Sequence, residues 1–163
     1  MPARPLNVGR LCGEVTLPTS VHDNWVYGQV VDHDRGRIVL HTVYPHETPP
    51  EYTDVVFEGV VTHHFEQQNV GGGEPYPANV LFDVEESDAK FILERYADLL
   101  ARTKRYGWPV REYEGPQDLA KRLTAGGARC FEIHGTVGID GFVFAKSMTF
   151  RERPGRAEVQ FNG

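Results

Sequence analysis

The chain has 163 residues, of which 40% are hydrophobic and 25% are charged, and these values are typical of one globular domain with its own hydrophobic core. Its formal net charge is -6 at pH 7, which argues against general binding to nucleic acid or to anionic membranes, because such binding needs basic surface. Composition therefore argues against nucleic acid and membrane as partners and allows a basic protein partner.

The N-terminus and the cysteines indicate the compartment. The opening run "MPARPLNVGRL" lacks the apolar segment of a signal peptide, and no apolar run approaches the roughly 20 residues of a membrane span. The two cysteines, Cys12 and Cys130, lie in strand-like runs, and such a small number favours reduced thiols over a disulfide scaffold. We therefore expect a soluble, cytoplasmic protein.

Strand patterns fill the first half of the chain. Runs rich in β-branched and aromatic residues alternate with turn signals, which is typical of strands joined by hairpins. "HDRG" supplies one such turn, "PHETPPEY" is a connection broken by prolines, and "NVGGGEPYP" is a loop. The predicted strands cover residues 8–17, 25–32, 37–44, 54–66 and 79–84.

Helical spacing follows in the middle of the chain. Ser87 is the predicted N-cap of a long helix whose apolar residues run from Ala89 to Thr103 and which ends near Gly107. A shorter helix is predicted from Pro116 to Ala125, because proline is favoured in the first turn. Strands at 129–137 and 142–151, joined by the turn "GIDG", complete the pattern.

These elements predict an α+β fold with a mainly antiparallel β-sheet and with one long and one short helix packed on one face. The β-α-β alternation of a parallel nucleotide-binding fold is missing. We expect a single domain over residues 1–151. The polar residues 152–163 are predicted to form a flexible C-terminal tail.

The predicted strand at 54–66 determines to which face of the sheet each of its two histidines points. Side chains of a strand point alternately to opposite faces, so the odd positions, which include Val55 and Phe57, form a core face and the even positions a wetter face. His63 and His64 therefore point to opposite sides of the sheet. They are not expected to share one metal ion.

A metal site is the alternative interpretation of this strand. His64 and Glu66 share a face and would supply two ligands, whereas a catalytic zinc usually has three protein ligands. The third would be His41 or His134, and nothing in the spacing requires either. A solvated strand end is the favoured interpretation, and no cofactor is expected.

Other motifs lack parts that their chemistry needs. The glycines at 71–73 are followed by Glu-Pro-Tyr and not by the Lys and Ser or Thr of a phosphate-binding loop. Asp32 and Asp34 begin like a calcium loop, but the later glutamate is absent. Asp83 and Glu85 would share a strand face as an acid-base pair, although carboxylates ahead of a helix N-terminus have a simpler electrostatic explanation. No Gly-x-Ser-x-Gly nucleophile motif occurs.

The runs "HDNWVYGQVVDHDRGRIVLHTVY", "YTDVVFEGVVTHHFE" and "NVLFDVEE" with the following helix resemble a group of small, mostly uncharacterised bacterial α+β proteins. Some members of that group are thought to be immunity proteins, which neutralise toxins used between competing bacteria. The resemblance covers roughly residues 20–105 and implies the same element order. It assigns no functional residues to this chain.

Three classes of function follow from these observations. The favoured class is a non-catalytic protein-binding module, immunity-like or accessory, that offers an acidic surface to a basic partner. The second is an enzyme, or a protein that binds a small ligand or a metal ion, with a pocket between the sheet and the long helix or beside the glycine loop. Its candidate polar groups are His41, His64, Glu66 and His134. The third class is a homodimer that pairs aromatics such as Trp25, Tyr27 and Phe144.

Overall fold

The computed structural model describes residues 20–67 and 79–158. The predicted strand at 8–17, Cys12 and the loop of three glycines lie outside these ranges. The described chain forms eight strands, three α-helices and a short 3₁₀ turn, Lys104–Tyr106. In chain order these elements are β1 Trp25–Asp32, β2 Arg37–Tyr44, β3 Glu51–Glu58, β4 Thr62–Gln67, β5 Val80–Ser87, α1 Ala89–Arg95, α2 Ala97–Thr103, α3 Pro116–Thr124, β6 Arg129–Val137, β7 Ile139–Ala145 and β8 Ser147–Arg153.

The strands form one antiparallel sheet in the order β4-β7-β6-β5-β1-β2-β3-β8. β3 and β4 are two halves of one bent strand, and Lys146 alone separates β7 from β8. At the bend the amide of Val61 donates to the carbonyl of Phe144 at 2.8 Å and the amide of Lys146 donates to that of Glu58 at 2.9 Å. Because both end strands belong to the same bent ribbon, the sheet closes into a cylinder.

The interior of the cylinder is the main hydrophobic core. Phe57 of β3 and Phe131 of β6 are not on neighbouring strands, yet their ring centroids lie 5.9 Å apart across the interior. Alternate residues of the strands point inward, as the period of two requires. The buried members of this core are Val21, Ile38, Leu40, Val55, Phe57, Leu81, Val84, Phe131, Ile133, Ile139, Val143 and Ala145.

The predicted strand at 54–66 is bent and not continuous. Gly59 turns the chain with a φ of 64°, in the left-handed region that glycine adopts without strain. After the bend, Val61 belongs to the predicted core face but is 54% exposed. Before the bend, Asp54 and Val56 belong to the predicted wet face but are both buried. The bend therefore changes which residues of the strand face inward.

The helices pack on the outer face of β6 and β7. Asp88, and not Ser87, caps α1, because its carboxylate accepts from the amide of Phe91 at 2.8 Å while Ser87 ends β5. α3 begins at Pro116 as predicted. Within residues 20–67 and 79–158, no helix is long and apolar enough to cross a membrane. The buried members of this second cluster are Ile92, Leu93, Leu100, Leu119, Leu123, Cys130, Phe142 and Phe144.

The α+β class and the antiparallel sheet are confirmed, but the single long helix is not. Tyr96 departs from helical geometry, with φ -97° and ψ 22°, and divides the predicted helix into α1 and α2, each of seven residues. Gly107, with a φ of 78°, follows the 3₁₀ turn at the predicted end of the helix. The helix layer therefore bends at Tyr96, and this bend forms one wall of the candidate site.

The last strand extends past residue 151, the predicted end of the domain. β8 extends to Arg153. The amide of Ala157 then donates to the hydroxyl of Tyr27 at 2.8 Å, and the guanidinium of Arg156 lies 4.4 Å from the centroid of the same ring. Residues 154–158 thus contact β1, and residues 159–163 lie outside the described ranges.

Candidate functional site

Polar side chains line up across three neighbouring strands on the outer face of the sheet. The register places Glu66 of β4 opposite Asp140 of β7, and His64 opposite Phe142. Phe142 lies opposite Glu132 of β6, and His134 follows two residues later on the same face of that strand. The row after that of Phe142 brings two acids and a histidine together, namely Glu66, Asp140 and His134.

The bend between α1 and α2 leaves this last row open. The ring centroid of Tyr96 lies 5.1 Å from that of Phe142 and 5.5 Å from that of His64, so Tyr96 covers the row containing these two residues. Beyond Tyr96 lies a cleft of about 360 Å³ between the helices and the sheet. Its lining residues are Glu66, Arg95, Tyr96, Asp98, Leu99, Arg102, His134 and Asp140.

The charge of the cleft is negative. Arg95 donates from Nη1 to Oε1 of Glu132, a carboxylate that is buried in the sheet beneath it. A buried carboxylate needs such a partner, so the charge of Arg95 is already compensated. Three further acids line the cleft, and one further guanidinium, that of Arg102, accompanies them. The cleft therefore holds more carboxylate than guanidinium charge.

The pKa of Tyr96 reflects this environment. Burial first, and then the carboxylates of Glu66 and Asp140, raise the pKa of Tyr96 to about 12, while the guanidinium of Arg95 lowers it by less. Burial and the neighbouring carboxylates disfavour the phenolate anion, and the guanidinium of Arg95 offsets only part of this effect. At neutral pH the hydroxyl of Tyr96 is therefore a protonated hydrogen-bonding group on the wall of the cleft.

The structure brings together some of the residues that the sequence singled out. Glu66 and His134 both line the cleft, and Nε2 of His64 lies 3.6 Å from Oε2 of Glu66. His41 lies elsewhere, with its Nδ1 2.7 Å from Oδ1 of Asp54. In the described ranges no group of three or more His, Cys, Asp or Glu side chains is arranged to hold a metal ion.

The two adjacent histidines of β4 point to opposite sides of the sheet, as the alternation predicts. His64 contacts Tyr96 under the helices, whereas the ring centroid of His63 lies 5.3 Å from that of Phe65 and 6.3 Å from that of His33 in the β1–β2 turn. Burial lowers the pKa of His63, and the nearby imidazoles of His33 and His64 lower it further. The two imidazoles therefore have different surroundings.

His41 and Asp54 form a separate buried network that the sequence did not indicate. They are directly opposite on β2 and β3, and Nη1 of Arg153 donates to the second carboxylate oxygen of Asp54 at 3.2 Å. The ring of Tyr27 stacks on His41 with a centroid distance of 5.9 Å. Arg153 and His41 satisfy the carboxylate of Asp54. These partners explain how this acid can be buried on a face that was predicted to be wet.

Several cleft residues were missed from the sequence. Asp140 belongs to the motif "GIDG", which was interpreted as a turn, but it lies in β7 and accepts from the amide of Gly135 at 3.0 Å. Arg95, Asp98 and Arg102 belong to the polar face of the predicted helix. Helical spacing predicts that such residues face away from the core, but it does not predict the cleft that they line.

No protein-family model matches the sequence, and no curated protein matches it. We therefore identify the candidate site from the geometry and charge of the cleft.

Proposed function

We propose that this protein is a non-catalytic binding module that takes a basic side chain of a protein partner into the cleft between Tyr96 and the sheet. The observation that carries the proposal is that the carboxylates of Glu66, Asp98 and Asp140 line one cleft beside the ring of Tyr96. A lysine or arginine entering there meets carboxylates and an aromatic ring, and both attract a cation.

Partial burial makes the cleft a better cation site than the open surface. Charge interactions are stronger where the helices and the sheet displace water, because the effective dielectric constant is lower there. The net charge of -6 adds a long-range attraction that speeds association with a basic partner. Arg95 does not cancel this attraction, since Glu132 holds its guanidinium.

The most concrete form of the proposal is an immunity-like or accessory protein of the bacterial cytoplasm. Two observations support it: the resemblance of residues 20–105 to a group that includes immunity proteins, and the acidic cleft. In this form the partner is a basic protein, and the cleft takes one of its exposed lysine or arginine side chains.

A second candidate function is an enzyme or a small-ligand-binding protein that uses the same cleft. The observation that favours it is the gathering of His64, Glu66 and His134 in and behind the cleft. This candidate predicts that a free small molecule or metal ion binds with an affinity that depends on the histidines. The protein-binding module predicts that affinity requires a basic residue within a peptide.

The test is calorimetric titration with a nine-residue arginine-rich peptide and with a matched peptide in which citrulline, a neutral isostere, replaces each arginine. We expect the arginine peptide to bind, and Glu66→Gln and Asp140→Asn each to weaken that binding by about 5-fold to 10-fold, the range for one lost charged contact. Glu47→Gln, which changes an exposed acid in the β2–β3 connection, is the matched control and should change affinity less than about 2-fold.

Two outcomes would contradict the protein-binding proposal. One is equal affinity for the arginine and citrulline peptides. The other is the same loss of affinity in Glu47→Gln as in Glu66→Gln, which would mean that the peptide responds to net charge and not to the cleft. Binding of Zn²⁺ alone that His64→Gln abolishes would instead support the second candidate.

A further inference from the structure

The acids of the cleft belong to a longer row of side chains that crosses the outer face of the sheet. Glu66 of β4 lies opposite Asp140 of β7, and His134 of β6 lines the cleft with both of them. The next two strands of the sheet, after β6, are β5 and β1. The side chains that these two strands present beside His134 therefore adjoin the cleft.

The row becomes aromatic where it leaves the cleft. The ring centroid of Phe82, on β5, lies 5.6 Å from that of His134. Val80 lies on the same outer face as Phe82, because Leu81 between them is buried in the core of the cylinder. Trp25 of β1 lies directly opposite Val80 and therefore shares this face. Two acids, a histidine and two aromatic rings thus follow one another across five strands.

Both aromatic side chains of the row are open to solvent. Phe82 is 51% exposed and Trp25 is 44% exposed. The ring of His22 contacts Phe82 from the other side, with a centroid distance of 5.0 Å, and leaves half of Phe82 uncovered. Single exposed apolar side chains are common on protein surfaces, whereas a patch that continues a charged cleft is typical of an interaction surface.

The two ends of the row favour different groups of one partner. The carboxylates of Glu66 and Asp140 attract a cation, and the rings of Phe82 and Trp25 gain from burial of apolar surface. A partner with only apolar groups would desolvate the carboxylates without a counter-charge, and one with only basic groups would leave the rings in water. The row therefore fits a basic group and apolar groups side by side.

The spacing of the strands sets the separation of these groups. Neighbouring strands lie about 4.8 Å apart, so Phe82 lies on the order of 10 Å from Asp140, two strands away. In an extended segment, side chains at positions i and i+2 share one face and are about 7 Å apart, and the long arginine side chain spans the remaining distance. A side chain at i+4 reaches the next strand, which carries Trp25.

We propose that this row binds an extended segment of a protein partner in which two large apolar residues alternate with other residues beside one basic residue. The basic side chain enters the cleft, and the apolar side chains pack on Phe82 and Trp25. This inference rests on the function proposed above, and it adds the sequence pattern that the partner must carry.

The test is calorimetric titration of the full chain with the peptide acetyl-Leu-Ser-Leu-Ser-Arg-Ser-Leu-Ser-Leu-amide, which presents the pattern in both chain directions. A second peptide has serine at each leucine, and a third has citrulline at the arginine. We expect the leucine peptide to bind at least about 10-fold more tightly than the serine peptide, because its leucines bury apolar surface on the two rings. This comparison uses the unaltered protein and does not depend on the folding of a variant.

Variants then locate the contact. Phe82→Ala truncates a half-exposed side chain and should weaken the leucine peptide by about 10-fold while leaving the serine peptide within about 2-fold. Tyr106→Ala removes a tyrosine that is 75% exposed on the 3₁₀ turn and should leave both affinities within about 2-fold. Glu66→Gln should weaken both peptides by the same factor, since both place an arginine in the cleft.

The outcomes distinguish this inference from the function on which it rests. Equal affinity for the leucine and serine peptides, or an equal effect of Phe82→Ala on both, would overturn the inference and leave the cleft as a site for a basic side chain. Equal affinity for the arginine and citrulline forms, or no binding of any peptide, would overturn both. Light scattering that shows a dimer without peptide, and a monomer in Phe82→Ala, would assign the rings to a second copy of this chain and overturn the inference.

Discussion

At the scale of single residues, adjacent side chains on one strand have separate environments. His63 and His64 show this most clearly, since one lies beside His33 and Phe65 and the other lies under Tyr96. This division was predictable from the period of two along a strand. The burial of Asp54 was not, because it depends on His41 and Arg153, which are 13 and 99 residues away in the chain.

The lowered pKa of His63 makes the stability of the fold depend on pH. Its pKa in the folded state is lowered by burial and by His33 and His64, so the folded protein binds fewer protons at this site than the unfolded chain does. Stability from this group is therefore present above the unfolded pKa of about 6.5 and decreases as the pH falls below it. We expect His63→Gln to lose less stability than the parent between pH 7.5 and pH 5.0.

Urea unfolding at both pH values measures this difference. His46→Gln, at an exposed histidine of the β2–β3 connection, is the control and should keep the pH dependence of the parent. An identical loss of stability in His63→Gln and the parent would mean that His63 does not couple folding to protons.

At the scale of elements, the bends at Tyr96 and Gly59 determine where the cleft lies. Tyr96 fits the apolar spacing of a single helix, so the sequence pattern continues through the position where α1 ends. The departure from helical geometry accompanies packing of its ring on Phe142 and His64, which are distant in sequence. Gly59 is different, because a glycine within a strand pattern is itself a local signal of a bend or of close backbone approach. The bend in the strand was therefore more predictable than the division of the helix.

The second prediction tests close approach between β4 and β7. A Cβ at Gly141 would lie 2.0 Å from the carbonyl oxygen of His64, and backbone on both strands would have to move. We expect Gly141→Ala to lower the free energy of unfolding by about 3 kcal/mol or to prevent folding, at the upper end of the range for overpacking. Thermal and urea unfolding measure the change.

Gly126→Ala is the control for this substitution. A Cβ at Gly126 would meet no heavy atom within 4 Å, so the change in the free energy of unfolding should stay within about 0.5 kcal/mol. A loss of stability at Gly141 no larger than that at Gly126 would contradict the close packing of the two strands.

At the scale of the whole molecule, closure of the sheet brings the cleft residues together. Local turn signals predict the pairs β1–β2 and β6–β7, but β3–β8 and β4–β7 join distant segments and leave no local pattern. Glu66 becomes a neighbour of Asp140 and His134 only through the long-range β4–β7 pair. Closure also affects the homodimer hypothesis, because Phe144 is buried under the helices, while Trp25 is 44% exposed and is available for such a contact.

The central claim is that a basic side chain of a partner enters the cleft beside Tyr96, and its most direct test is to locate where a basic peptide binds. The measurement is a series of amide ¹H–¹⁵N correlation spectra of the full chain during titration with the arginine-rich peptide. We predict that the largest shifts occur at the amides of Glu66, Tyr96, Asp98 and Asp140. Shifts of equal size at distant exposed acids such as Glu47, or no shifts in the cleft at saturating peptide, would contradict the claim.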